Sequence, residues 1–243
     1  MMTSDDELSP AYILHTRKYR DTSLIAELVT RDEGRFAVVI KGARAKRPRF
    51  PGRLQPFVPL LISWYGRGEL KTARNIDFPG RAFHLNGDAL MIGLYINELL
   101  YRLLGKFDPM PVVFSSYQSL LSTLEVSSQI NHELRRFELT LLAELGYGIT
   151  FETEAGSGNP VQPERLYRYA VEEGFYPLPD GVYEERPSGT FEGKHLLAIA
   201  GGNLADPAIE QSARKITRAS LTLLLGDRPL KSREILVKKR GMT

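Results

Sequence analysis

The chain has no cysteine, which removes disulfides and every thiolate metal site from consideration. Histidine is scarce too: His15, His84, His132 and His195 stand far apart, and a structural role is the default for each. Long apolar runs are missing. The longest, at 59–62 and 221–225, fall far short of the roughly 20 residues a membrane-spanning helix needs, so no membrane role is expected. The opening residues, Met-Met-Thr-Ser-Asp-Asp-Glu, lack the basic and apolar regions of a signal peptide, and a cytoplasmic, nucleoid-associated location is expected.

Catalytic signatures are missing as well. Gly105-Lys106 and Gly193-Lys194 lack the earlier glycine and the following hydroxyl of a phosphate-binding loop. Gly156-Ser157-Gly158 meets Val161 where a dinucleotide fingerprint needs its third glycine. No G-x-S-x-G elbow occurs. His132-Glu133 opens a zinc-protease motif that fails at Arg136. Paired acids such as Glu172-Glu173 and Glu184-Glu185 flank turns and read as solvated surface. No catalytic residue, cofactor or metal is expected.

The last scarcity is local. Between Arg35 and Arg74, ten Lys/Arg face one acid, Glu69, whereas from Arg81 onward 18 basic residues meet 20 acidic ones. The net charge of +3 therefore conceals a basic first third, the footprint of a polyanion binder.

The same third is patterned as strands. Residues 11–16 are apolar and β-rich, and Leu24, Ala26 and Leu28 alternate within 23–30. Asp32-Glu33-Gly34 marks a hairpin, since glycine supplies the positive φ of a tight turn. Phe36, Val38 and Ile40 share one face of the next strand, 57–65 forms a buried one, and Gly66-Arg67-Gly68 turns into a last strand over 69–76. Five short strands without a long helix predict a small closed barrel of OB type.

After Pro79-Gly80 the period shifts to about 3.6. Leu90, Leu94, Asn97, Glu98 and Tyr101 follow a helix whose other positions are also mostly apolar, which predicts a core helix ending before Pro109 and Pro111. Helices over 112–124 and 131–145 follow, the second with Leu134, Phe137, Leu141 and Leu145 on one stripe. Residues 146–202 are rich in Gly and Pro and weakly patterned, with a short element over 164–171. Asp206-Pro207 starts another helix, Gly226 ends it, and Ser232 caps a last one over 233–239. The expected class is α+β: an OB-fold domain, 1–80, then a mainly helical domain, 81–243, with an irregular insertion around 146–202.

The strongest local feature is Lys41-Gly42-Ala43-Arg44-Ala45-Lys46-Arg47-Pro48-Arg49, followed by Arg53. A solvated basic loop is the bland reading. The lack of any balancing acid and the position between two barrel strands favour nucleic-acid binding, because OB folds extend binding loops there. Arg17-Lys18-Tyr19-Arg20 is a smaller case. Tyr19 either stacks on a base or packs on its own loop. Of Trp64 and Tyr65, at least one should point into the barrel.

These segments also carry a resemblance. Tyr19-Arg20-Asp21-Thr22-Ser23-Leu24, Lys41-Gly42-Ala43-Arg44, Leu54-Gln55-Pro56-Phe57 and Gly66-Arg67-Gly68-Glu69-Leu70-Lys71 resemble the N-terminal half of the RecO family. Leu94-Tyr95-Ile96-Asn97-Glu98-Leu99, Leu134-Arg135-Arg136-Phe137-Glu138-Leu139, Gly146-Tyr147-Gly148 and Leu230-Lys231-Ser232-Arg233-Glu234 continue it in order. The resemblance implies an ATP-independent protein that binds single- and double-stranded DNA and anneals complementary strands. It also implies partners: RecR, and the single-stranded-DNA-binding protein SSB, in loading RecA at gaps. Some members carry a four-cysteine zinc module in the region matching 153–181; this chain has no cysteine there, so zinc does not carry over.

The expected DNA-binding residues are Arg17, Lys18, Arg20, Arg35, Lys41, Arg44, Lys46, Arg47, Arg49 and Arg53. For the acidic SSB tail, which ends in an apolar residue and a carboxylate, the expected dock is Arg135 or Arg136 with Leu94 and Tyr95. Three classes stand at this point: a recombination mediator, a general nucleic-acid chaperone or RNA-binding OB protein, and an enzyme with an unrecognised site.

Overall fold

A computed structural model describes residues 7–127, 129–179, 188–227 and 230–232. The chain divides into two compact units, Met1–Ser128 with Arg228–Thr243, and Gln129–Asp227.

In the first unit, β1 (Ser9–Tyr19), β2 (Ser23–Thr30), β3 (Gly34–Ile40), β4 (Leu60–Tyr65) and β5 (Leu70–Asp77) close a barrel in the order β1-β2-β3-β5-β4. Neighbours are antiparallel except β3 and β5, which run parallel, and Ser9 opposite Ile62 closes the ring. Period-two side chains fill the interior: Ala11, Ile13, Ala26, Leu28, Phe36, Val38, Ile40, Leu60 and Ile62 form its core. Trp64 packs on Phe36, with ring centroids 4.7 Å apart, while Tyr65 faces outward. Gly34 sits at φ +72°, and a Cβ there would fall 2.2 Å from the Asp108 carbonyl oxygen, so both turn and packing demand glycine.

The expected strand at 11–16 is longer, and a bulge between Ile13 and His15 divides it. Before the bulge both faces are buried; beyond it His15, Arg17 and Lys18 of β1 are exposed, while Ser23, Ile25 and Ala26 on the paired part of β2 stay buried. The helices α1 (Gly87–Leu103) and α2 (Pro111–Val126) cover the outer face of that first half. The Tyr12 ring lies edge-on to Tyr117 at 5.2 Å, and the Asn97 side-chain amide donates to the Leu14 carbonyl at 3.2 Å. The Tyr117 hydroxyl in turn donates to Asn97 Oδ1 at 2.7 Å, so the buried amide is satisfied. The helices thus pack into the same compact unit as the barrel. Residues 230–232 join them: Glu98 accepts from the backbone N–H groups of Lys231 and Ser232, both at 2.9 Å.

α1 departs from expectation. Leu90, Leu94 and Tyr101 are exposed, so the helix presents an apolar stripe to solvent instead of being buried all round.

The second unit holds α3 (Ile130–Glu144), the strands β6 (Leu166–Ala170), β7 (Gly174–Pro177) and β8 (Thr190–Glu192), and the helices α4 (Gly193–Ala200) and α5 (Pro207–Leu225). The stretch expected to be irregular therefore contains a three-stranded sheet, β7-β6-β8, and a helix. Phe151, Val161, Tyr167, Phe175, Phe191 and Leu196 from that stretch share a core with Ala213 and Ile216 of α5. Asp206 caps α5, its carboxylate accepting from Ala208 N–H at 2.7 Å. The helix expected over 233–239 lies outside the described residues.

Candidate nucleic-acid interface

Two segments of the barrel carry most of its exposed cations, and the register sets them side by side. Leu24 pairs with Lys18 of β1 on one side and with Ile40 of β3 on the other, so the β1–β2 arm adjoins the exit from β3. The loop after β3 is stitched to that arm. Arg44 N–H donates to the Thr22 carbonyl at 2.7 Å, and its guanidinium to the Arg20 carbonyl at 3.3 Å. The far end of the loop is pinned by Arg53, whose guanidinium stacks over Phe78 at 4.2 Å and reaches the Gly80 carbonyl. Phe50 meets Phe78 edge-on at 5.6 Å.

Between these pins Lys46 and Arg47 are exposed and have no carboxylate partner among the described residues. Arg17, Lys18, Arg20, Lys41, Arg44, Arg49 and Arg53 are exposed as well, with Arg49 leaning over the Phe50 ring. Arg20 stands over the Tyr19 ring at 5.2 Å, an aromatic–cation pair half open to solvent. Asp21, at the arm's turn, is the carboxylate nearest these cations in sequence. Nine cations on adjoining, solvent-facing backbone make a surface suited to successive phosphates.

Arg35 is the exception. Its guanidinium donates to the Leu104 carbonyl at 3.0 Å and to Glu27 at 3.2 Å, and it stacks over Tyr101 at 5.3 Å. With 12% of its side chain accessible, it braces the barrel against the end of α1 and is not free for phosphate. Conversely, Tyr65 and Arg74 escaped the sequence reading. Lys41 Nζ lies 3.5 Å from the Tyr65 hydroxyl, and Arg74 stacks over the Tyr65 ring at 5.8 Å. The signal for Arg74 lies in the strand register: it is two residues beyond Thr72, the partner of Val39, and so stands beside the exit from β3.

The expected docking residues fare differently from one another. Arg135 is buried. Its Nη1 donates to Glu138 at 2.7 Å and lies 3.4 Å from the Thr217 hydroxyl. Its Nε is 3.4 Å from Glu210 Oε1, a charge contact without hydrogen-bond geometry. Arg135 therefore ties α3 to α5 and cannot stand at the rim of a peptide pocket. Arg136, one position on, is exposed. Tyr95 is buried within the first unit, whereas Leu94 is exposed there; the two arginines belong to the second unit.

His195 Nδ1 is 3.1 Å from Ser212 Oγ, but both are buried and the hydroxyl donates to the Ala208 carbonyl at 2.9 Å. Among the described residues no cluster of His, Asp and Glu is placed to hold a metal, and no helix is long and apolar enough to cross a membrane. A cavity of about 220 Å3 in the second unit is lined by Tyr147, Tyr169, Glu172 and Glu173, and its carboxylates make it unsuited to phosphate.

Two family models match the chain. Residues 2–78 match the family model described as Recombination protein O N terminal, and residues 84–234 the one described as Recombination protein O C terminal. Their seam falls where the hydrophobic period changes. The protein called DNA repair protein RecO in Haemophilus influenzae (strain Rd) is 41% identical over 232 residues, 96% of each chain. Its namesake in Methylococcus capsulatus (strain Bath) is 42% identical over 228 residues, 94% of this chain and 92% of that one. That of Yersinia pestis (strain Pestoides F) is 43% identical over 226 residues, 93% of this chain and 92% of the relative.

Proposed function

Because the chain belongs to the RecO family of DNA repair and recombination proteins, we propose that it is a non-enzymatic recombination mediator whose barrel binds DNA through the β1–β2 arm and the loop after β3. In this reading it anneals complementary strands and, with RecR, helps load RecA onto single-stranded DNA coated by SSB. The observation that carries it is the run of exposed cations Lys41, Arg44, Lys46, Arg47, Arg49 and Arg53, joined by backbone to Arg17, Lys18 and Arg20. Each phosphate neutralised releases counterion, so affinity should fall with salt at a slope of roughly −0.7 per contact on single strands. The aromatic surface beside them, Tyr19 and Tyr65, supplies faces on which bases can stack.

The SSB tail is assigned to residues of the second unit, distinct from the cations of β1 and of the loop after β3, so that DNA held by those cations and an acidic peptide need not compete. Arg136 is the exposed arginine for its carboxylates.

The test is charge reversal of Arg44, Lys46, Arg47 and Arg49 to Glu. Anisotropy with a labelled oligonucleotide should show binding weakened by orders of magnitude at moderate salt, with an unchanged melting temperature. Wild type should anneal oligonucleotides in EDTA without any nucleotide. A folded variant that binds DNA like wild type removes the assignment. Annealing that needs a divalent metal or ATP removes the non-enzymatic reading. RecR and SSB pull-downs separate a mediator from a general chaperone.

A further inference from the structure

The second unit is acidic, with fifteen Asp/Glu against nine Lys/Arg, yet one face of α5 runs against that balance. Gln211, Arg214, Lys215, Arg218 and Thr222 are all exposed, and at 3.6 residues per turn they fall within an arc of about 100°. None of the three cations has a carboxylate partner among the described residues, although α5 carries Glu210 one turn earlier. That acid is committed to the Arg135 side. The opposite face, with Ala213, Ile216, Thr217, Ser220 and Leu221, is buried in the unit's core.

We infer that this stripe is a second phosphate-binding surface, which holds the backbone of the second DNA strand during annealing. The inference rests on the reading above that the chain binds and anneals DNA. Annealing needs two polyanions held close while their bases stay free to pair. The stripe has the chemistry for that. Arg214 and Arg218, one helical turn apart, are separated by about 6 Å along the axis, with Lys215 between them. Three unpaired cations suit successive phosphodiesters, and no aromatic lies on the stripe to capture a base by stacking. An acidic peptide ending in an apolar residue fits less well, since Gln211, Arg214, Lys215, Arg218 and Thr222 are all polar.

The experiment compares wild type with Arg214→Glu/Lys215→Glu/Arg218→Glu and with the milder Arg214→Gln/Lys215→Gln/Arg218→Gln. Three readouts are taken: anisotropy with one labelled oligo(dT), bridging of donor- and acceptor-labelled oligo(dT) measured by energy transfer, and annealing of complementary strands. Single-strand affinity should stay within about two-fold of wild type, because the barrel surface is untouched. Bridging and annealing rate should fall roughly ten-fold or more in the Glu variant and less in the Gln variant. The salt dependence of bridging should lose about 0.7 per contact removed.

Annealing and bridging at wild-type rates in a folded Glu variant overturn the inference. So does an equal loss of single-strand affinity, which would place α5 in the first site. Selective loss of an acidic peptide's binding with annealing intact assigns the stripe to a protein partner instead, and also overturns it. A wild-type protein that binds one strand and never bridges two sinks the second site but leaves the barrel reading standing. Absence of any DNA binding by wild type sinks both.

Discussion

Replacing Arg135 by Ala should destabilise the protein sharply while leaving its phosphate surface untouched. The guanidinium and the Glu138 carboxylate have 8% and 1% of their side chains accessible, and they meet at 2.7 Å between α3 and α5. The Thr217 hydroxyl donates to the same carboxylate oxygen at 2.6 Å. Removing the cation strands a carboxylate in a nearly dry site, which typically costs about 3–5 kcal/mol. Total stability of a domain is only about 5–15 kcal/mol, so the loss is severe. For a chain of this size the melting temperature should drop by on the order of 10 °C.

The double change Arg135→Met/Glu138→Leu removes both charges and should regain more than half of that loss, because an apolar pair of similar volume can replace a buried ion pair. Arg136→Glu, on exposed surface, should move stability by no more than about 0.5 kcal/mol. Differential scanning calorimetry on the four proteins decides the matter. Equal melting of Arg135→Ala and wild type would refute the buried ion pair, and with it the exclusion of Arg135 from peptide docking. Failure of the double variant to recover would show that the geometry of the charges, not their desolvation, holds α3 to α5.

Arg35→Ala should lower the melting temperature, by about 1–3 kcal/mol of lost hydrogen bonding to Glu27 and Leu104, with DNA affinity per folded molecule nearly unchanged. Lys46→Ala should do the opposite; a matching loss of affinity in both would put Arg35 back on the interface. The Arg81 guanidinium, aided by the His84 N–H, holds the Glu125 carboxyl down to about 2, against an ordinary value of 4.5. A depressed carboxyl stabilises the fold above pH 4.5 and loses that contribution as pH falls toward 2, so this tie should hold in full at pH 5, weaken below pH 4.5 and fail at about pH 2. Carboxyl NMR titration should show Arg81→Gln moving Glu125 back toward the ordinary range; an unmoved titration would contradict the assigned cause.

What could be read from the sequence was what local pattern dictates. β2 is expected over 23–30 and spans Ser23–Thr30, because Leu24, Ala26 and Leu28 recur at period two and the last two face the barrel core. The basic loop was visible because charge needs no tertiary context. β1 was cut short because its second half, beyond the bulge, is a polar arm with no apolar face to announce it. The sequence predicts a core helix for α1 and leaves its exposed stripe unseen, since periodicity records which residues are apolar and not which side finds a cover. Strands of five, four and three residues leave too short a period to detect, which is why 146–202 reads as irregular. Arg135 was misplaced for a different reason. Its partners on α5, Glu210 and Thr217, lie more than seventy residues away in sequence.

The small sheet of the second unit has a chemical consequence. Phe175, on the edge strand β7, joins its rings, with Tyr169 at 4.9 Å, Phe151 at 5.5 Å and Phe191 at 6.4 Å, and the Tyr167 hydroxyl closes one side by donating to Glu154. Rings rather than sulfur hold this element together, in a chain without cysteine. Peroxide and disulfide stress act first on thiolates, and chelators on metal–thiolate clusters. With no cysteine in the sequence, this element offers neither target.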